Sequence, residues 1–592
     1  MSSRRRWILS SALMFWTAGS LFAPSTATVH AQATALAPAT SAAGSNDAGD
    51  SPTLVVSTSK LDQLMPHVSY LMRAVNQPEF SGLANMMVNS YTQGMDKTRP
   101  IGVAVSLSDV GNPTPVVMLP VSDIKLFFNG LAQFGEPDDL GNGLYSLEVG
   151  PQPVFAQYEE GWLYVSPEEA TVTDFDYDPS ELLNKLASRY DIGFRLDLQS
   201  VPEELRETLL AQMRDSFERG ASQGMAQAKR AAEDAIKAAK TDEARAIAET
   251  QLANFEASME MQERQLDQLE AMVNDVSTVV FGITADSAAK QLSMELATQF
   301  VEGSDLDKQV AFSATSKTAF SGLTSDREVI SVHSTNRTMP EYIEDAKANI
   351  EVAFSQLEQL LNQADSKLPG ATEIADEFKQ LVLETVEEGI SDSAVSLSLG
   401  DQLSLVSVAH VADGNKWASF LASNYEKIRS YSDDLPLIQF NQGKHAGVTL
   451  HIGAVTLPQD APPELVRVLG SPVAFALGTA DKSIYLSVGP DAETKLKTAI
   501  DNVASKSTPV AGNPFDMRVQ LVPIVQYIQT IKAEPILEAM IDGASQSSAK
   551  DFININTKIL PHGVLGRLSV DEGVLKAIGS AAKAGQGGGR RR

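Results

Sequence analysis

One local pattern occurs twice in the chain. Ala104-Val105-Ser106-Leu107-Ser108 recurs as Ala394-Val395-Ser396-Leu397-Ser398, 290 residues further on. With that spacing held and no gap, Val116 falls on Val406, Val121 on Val411, Asp123 on Asp413 and Leu131 on Leu421. In each copy an alternating apolar/polar run reads as a half-buried strand. A turn and a second strand follow. Then comes an Asp whose carboxylate suits the unpaired N–H groups of a short helix. A repeat constrains a fold more than a lone motif does, because each copy must close a core of its own kind.

Further matches follow in the same order. Phe155-Ala156 answers Phe475-Ala476, and Leu163 to Ser166 answers Ile484 to Ser487 after one residue of slip in the turn. Phe194 to Leu198 answers Met517 to Leu521, and Gly282, followed by Asp286, answers Gly566 and Asp571. Helical candidates Lys60 to Ala74 and Phe80 to Met95 align with Glu341 to Ala364 and Glu373 to Glu388. The reading is a tandem duplication of α+β class, with units at 54–325 and 328–579. Each unit is expected to be an antiparallel sheet with helices on one face. Ser and Thr at alternate strand positions leave the other face wet, or packed across a shared cleft. Val103, Val105, Leu107, Val395 and Leu397 are expected to point into the core, since a one-residue slip would turn every apolar side chain to water.

The first unit carries an addition. From Pro202 to Asp275 the chain is rich in Ala, Glu and Gln, with no proline after its start. Leu252, Phe255, Met259, Gln262, Leu266, Leu269, Val273 and Val276 keep spacings of three and four, a heptad seam broken by Gln262. Ala221, Met225, Ala228, Ala232, Ala235 and Ala239 do the same with small residues, which let two helix axes approach closely. This predicts an antiparallel helical hairpin over 203–275, turning at Lys240.

The N-terminus predicts export. Arg4-Arg5-Arg6 precedes an apolar run from Trp7 to Ala23, and Val29-His30-Ala31 offers small residues for cleavage, so 1–31 reads as a signal peptide of the general secretory or twin-arginine kind. Residues 32–53 read as a disordered Ala/Ser/Thr-rich linker, and 580–592 as a disordered Gly/Arg tail. No cysteine is present, so a lipoprotein anchor and a disulfide framework are both excluded. The net charge of −28 becomes −31 without the three signal arginines, which disfavours nucleic acid and anionic membrane surfaces as partners. No later stretch is apolar enough to span a bilayer. The expected location is periplasmic or extracellular.

No motif for chemistry emerges. Gly220-Ala221-Ser222-Gln223-Gly224 fits a nucleophile elbow in letters, but helix is expected on both sides where a strand must precede the serine. Asp174-Phe175-Asp176-Tyr177-Asp178 opens like a calcium loop, yet Pro179 and Lys185 stand where Gly and Glu are needed. His445 and His451 flank a strand without a metal-ligand spacing. Gly141-Asn142-Gly143 lacks the third glycine of a dinucleotide fingerprint. Catalytic, cofactor and metal residues are therefore assigned to none.

The signal, the Ala-rich linker, the absence of cysteine and the duplicated strand–helix unit together resemble large exported hypothetical proteins of planctomycete-type bacteria. Families of that kind carry no assigned activity, so the resemblance implies no substrate, cofactor or site residue. The sequence points to an exported, non-catalytic binding or structural protein, with a protein partner or self-association through 203–275. One alternative is a carrier of a lipid or other apolar ligand, using Phe127, Phe128 and Phe134. Another is an enzyme whose site is assembled from scattered residues.

Overall fold

The computed structural model describes residues 51–588, apart from 108–111, 133–134, 150–151, 324–327, 364–369, 430–436, 458–459, 507, 549 and most of 239–272. The fold is mixed α and β with a large antiparallel sheet. Chain order begins with β1 (Leu54–Thr58), α1 (Leu61–Ala74), α2 (Glu79–Tyr91), β2 (Gly102–Leu107) and β3 (Pro113–Pro120). A short α3 (Ile124–Gly130) leads to β4 (Asp138–Gly141), β5 (Leu144–Val149), β6 (Gln152–Glu159) and β7 (Trp162–Ser166). Next come α4 (Glu169–Thr173), α5 (Pro179–Ala187), β8 (Ile192–Asp197) and the long α6 (Glu203–Ala238). After it stand β9 (Val276–Asp286), β10 (Gln291–Phe300), α7 (Asp305–Ser313) and β11 (Lys317–Thr318).

The second half opens with β12 (Ile330–Arg337), α8 (Ile343–Gln363), α9 (Ala371–Glu387), β13 (Ile390–Leu399) and β14 (Leu403–His410). It continues with α10 (Gly414–Arg429), β15 (Leu437–Gln439), β16 (Lys444–His445), β17 (Val448–Val455) and α11 (Pro463–Leu469). Then follow β18 (Val473–Ala480), β19 (Ser483–Val488), α12 (Ala492–Ser505), β20 (Val510–Ala511) and β21 (Phe515–Gln520). The chain closes with α13 (Leu521–Ile531), α14 (Pro535–Ser545), β22 (Phe552–Leu560), β23 (Gly563–Asp571) and α15 (Glu572–Gly588).

The described chain forms two compact units. One takes 51–211, 272–307 and 528–588, the other 212–271 and 308–527. In the first, the antiparallel order is β22-β23-β10-β9-β8-β1-β2-β3-β7-β6-β5-β4. In the second it is β21-β12-β13-β14-β19-β18-β17, with both β15 and β16 on the far side of β17. By contact the closing hairpin, which the sequence reading gave to the second repeat, groups with the first unit, while the described residues of 212–271 and 308–325, which it gave to the first, group with the second. For the hairpin the cause is a nine-pair ladder between β10 and β23, from Gln291 opposite Asp571 to Gln299 opposite Gly563.

Helices cover both faces of each sheet, which corrects the expectation of helices on one face only. In the first unit Val116, Met118 and Tyr164 pack with Val172 of α4 and with Leu183 and Leu186 of α5. On the opposite face Val121, Ala156 and Leu163 pack with Phe127 of α3. The second unit repeats this arrangement. Val408, Ala476 and Tyr485 lie under Leu496 and Ile500 of α12, while Ala409, Leu477 and Leu486 lie against Leu421 of α10. Strands buried on both faces lose their alternation, as in Trp162-Leu163-Tyr164, all buried. Each fully buried Met118 or Leu163 contributes about 2 kcal/mol by leaving water.

The inward positions in β2 also differ from expectation. Gly102 and Ala104 are buried, whereas Val103, Val105 and Leu107 are half-buried. Leu183 of α5 occupies the space over Gly102 where a Cβ would stand, so this helix approaches the sheet through a missing side chain. In β13 both Val395 and its neighbours Ala394 and Ser396 are buried, and Leu397 is half-buried.

Candidate functional site

The long helix α6 is the feature least explained by core packing. Its sequence is mostly strong helix formers, and it opens after Pro202 with Glu203 and Glu204, closing with Lys237 in its last turn. Those charges complement the positive N-terminus and negative C-terminus of the helix. Its 36 residues span about 54 Å at 1.5 Å each. Of its described side chains only Ala232 is buried; Leu210, Arg214, Phe217, Met225, Ala228 and Ile236 are half-buried along one stripe, and the rest are mostly exposed. Ala235, placed on the seam from the sequence, is exposed, and Ile236 takes the inward position. The side chains of Ala221 and Ala239 lie outside the described residues, as does most of the return segment.

Contacts to the described residues of that return segment run in reverse order. Arg214 donates to Asp267 Oδ1 at 3.0 Å and also to Glu270. Ten residues further along, a Cβ on Gly224 would stand 3.1 Å from Phe255 Cζ, so the aromatic ring lies directly over the glycine. Leu266 is buried. At the base, Asp197 of β8 pairs with Thr278 of β9, and Leu198 N–H donates to Ser277 O at 2.9 Å. Residues 203–275 therefore leave and rejoin the sheet at neighbouring positions on adjacent strands.

The other sequence-flagged residues are not gathered into one site. Ser222 sits inside α6 and donates to Arg219 O at 3.1 Å, with helix before and after it, as the sequence anticipated. Asp178 caps α5 by accepting from Ser180 N at 2.7 Å. Asp174, Phe175 and Tyr177 border a shallow groove of about 280 Å³ with Ser106, Thr114 and Thr171, and its mouth is open to solvent. Gly141 and Gly143 belong to the β4–β5 turn, both at positive φ. Phe127 is core, Phe128 stacks edge-on to Tyr145 at 5.0 Å, and Phe134 lies outside the described residues. Phe127 and Phe128 pack within the sheet–helix interface.

Each histidine beyond the N-terminal region has a separate partner. His67 Nδ1 is 2.7 Å from Asp191, His410 Nε2 2.8 Å from Glu388, and His445 Nε2 2.8 Å from Asp501. His333 Nε2 meets Thr318 Oγ1 at 2.8 Å with Asp392 3.6 Å away. His562 Nδ1 stands 3.1 Å from Asp307, and this hydrogen bond, with the carboxylate charge behind it, raises the imidazole above its ordinary range. His451 is buried; its Nδ1 accepts from Asn441 N–H and its Nε2 therefore donates to Thr479 Oγ1, while burial lowers its pKa. Among the described residues no three His, Asp or Glu side chains converge to hold a metal. No helix of the described residues is long and apolar enough to cross a membrane.

One buried charge cluster escaped the sequence reading. Glu295 of β10 is 5% exposed and accepts from Arg189 at 2.7 Å, from Tyr190 Oη–H at 3.0 Å and from Arg567 of β23. Burial alone would raise its carboxyl pKa, but hydrogen bonds from Arg567 and the charges of both arginines outweigh it and hold the group ionised. The cluster ties two strands together. Alternation patterns carry no mark of such a tie, because its members are 272 residues apart. No family model, no curated protein and no solved structure matches the chain.

Proposed function

We propose that this is an exported, non-catalytic binding or structural protein that engages a protein partner, or further copies of itself, through a helical arm at 203–275. The observation that carries the reading is α6: about 54 Å of helix with a single buried side chain among those described. A helix polar on most of its circumference needs either a partner or a second helix beside it. The reversed contacts of Arg214 with Asp267 and Gly224 with Phe255 support an antiparallel hairpin, since both pairs are centred on residue 240. The faces left outside carry both signs of charge, among them Glu207, Asp215, Glu218, Arg219, Arg230 and Glu233, which suits a polar protein surface. A photo-crosslinking side chain at exposed Gln223 or Arg230 should trap one discrete protein species in cells. Adducts forming equally well at exposed Ser419 of α10, or none at the arm, would contradict the reading.

We also infer that two sheet units arose by duplication. The order β4-β5-β6-β7-β3-β2-β1-β8 corresponds strand for strand to β15-β17-β18-β19-β14-β13-β12-β21. Asp123 caps α3 through Leu126 N, and Asp413 caps α10 through Asn415 N and Lys416 N. Four residues after each Asp stands a buried aromatic, Phe127 or Trp417. Counting along the ladders keeps Val116 with Val406 and Tyr164 with Tyr485, but sets Val103 beside Val395 and Phe155 beside Ala476. The slip assumed in the β6–β7 turn is absent, because Glu160-Gly161 and Asp481-Lys482 are turns of equal length. By order, β9 goes with β22, so the match of Gly282 with Gly566, which is in β23, does not hold.

A further inference from the structure

Helix α2 is packed inside out. Its contact with α1 is polar: Ser81 donates to Ser69 Oγ at 2.9 Å, and Asn85 Nδ2 donates to the same oxygen at 3.3 Å. Its large apolar side chains face water instead. Phe80 is 49% exposed, Leu83 47%, Met86 62% and Met87 51%, and none of its residues is buried. At 100° per residue these four share one side of the helix. Leu126 of α3, which packs beside α2, is a fifth at 44%.

The corresponding helix of the second unit shows what such a face requires. There Ile374, Phe378, Leu381 and Val382 of α9 are buried, with Phe378 5.5 Å from Trp417 and 6.1 Å from Phe420. Those rings come from α10, which has 16 residues, whereas α3 has seven and is too short to cover α2. Residues 32–53 hold few large apolar side chains, so the linker cannot supply the cover either.

We propose that a second copy of this chain covers the α2 face, giving a two-fold dimer centred on Phe80, Leu83, Met86 and Met87. Three features select this occupant. The face carries no charge between Phe80 and Tyr91, so two copies can meet on it without like-charge contact. It measures on the order of 450 Å², the size of a typical monomer's largest apolar patch, which often marks a functional surface. Two such faces with their rims bury about 1,000 Å², which suffices for a weak, reversible dimer and not for a permanent one. Because each chain carries −28, or −31 without the three signal arginines, the copies repel at long range, and added salt strengthens the dimer by screening that repulsion.

The test is sedimentation velocity of the exported protein from about 1 to about 200 µM, at low and high salt. A reversible monomer–dimer equilibrium is expected, favoured by salt and shifted at least tenfold toward monomer by Met86→Glu with Met87→Glu. Both positions are exposed, so circular dichroism of the variant should match the parent. Because the chain has no cysteine, Leu83→Cys should also give a linked dimer with a short bis-maleimide while Ser419→Cys does not. A protein that stays monomeric throughout overturns the proposal. So does a dimer that ignores the α2 variants, or one lost only when the arm is removed. Binding of the monomer to phosphatidylglycerol vesicles through α2 would assign the face to a membrane and equally overturn it.

Discussion

Replacing Glu295 with Gln removes the carboxylate that Arg189, Arg567 and Tyr190 share. The two arginines stay where they are, opposite one another across a group that no longer carries charge. Breaking a buried ion pair by deleting one partner costs about 3–5 kcal/mol, because the remaining charge stays buried. Here Arg189 and Arg567 are 34% and 45% exposed and can turn partly to water, so the loss should sit at the lower end, about 3 kcal/mol. Urea unfolding followed by tryptophan fluorescence, where Trp162 lies in the first unit's core, measures it. The pH dependence has a defined sign. The Glu295 pKa is lowered in the native state, so its contribution is full above the ordinary carboxylate pKa and is lost as pH falls through the native value. The gap between wild type and Glu295→Gln should therefore be constant at neutral pH and close in acid. A triple variant, Arg189→Met with Glu295→Met and Arg567→Met, should recover much of the loss. A midpoint unmoved by Glu295→Gln would refute the view that this cluster fastens β23 to β10.

Other expectations follow from single contacts. Asp123→Ala and Asp413→Ala should each cost about 1 kcal/mol of stability, read by thermal melting, and leave arm crosslinking unchanged. His451 is held neutral by burial, so stability should fall as pH drops below the unfolded histidine pKa, and His451→Gln should remove that slope from a urea-midpoint profile. His562 is raised by Asp307, so its contribution is full below the unfolded pKa and lost as pH rises through the native one; His562→Asn, which tolerates the φ of +54° there, should abolish that limb.

Much of the strand and helix content was legible because periodicity is a local property. The Asp-capped helices at Asp123 and Asp413 could be placed from residue type and position alone. What was not legible depended on partners distant in sequence. Alternation marks β23 as a strand but says nothing of whether β10 lies beside it. Two apolar faces on one strand require the whole sandwich to be seen, so Leu163 and Tyr164 pointed to a hairpin without revealing helices on both sides. The spacing of Phe80, Leu83 and Met87 is that of a core stripe, and only the polar contact of Ser69 with Ser81 shows that the stripe faces outward. Matching letters set the proposed repeat two residues out of the ladder register in β2 and one in β6, since Ala-Val-Ser-Leu-Ser fits a strand equally well two residues along.

The central claim is that residues 203–275 are an arm that binds without holding the sheets together. Because Leu198 N–H already meets Ser277 O at 2.9 Å, replacing 203–275 with Asn-Gly should leave a short loop joining β8 to β9. The measurement is thermal unfolding of this deletion by circular dichroism, paired with crosslinking of the same chain. A cooperative melt within a few degrees of the parent, with the partner adduct gone, is the expected result. An unfolded chain, or a folded one that still captures its partner, would contradict the account.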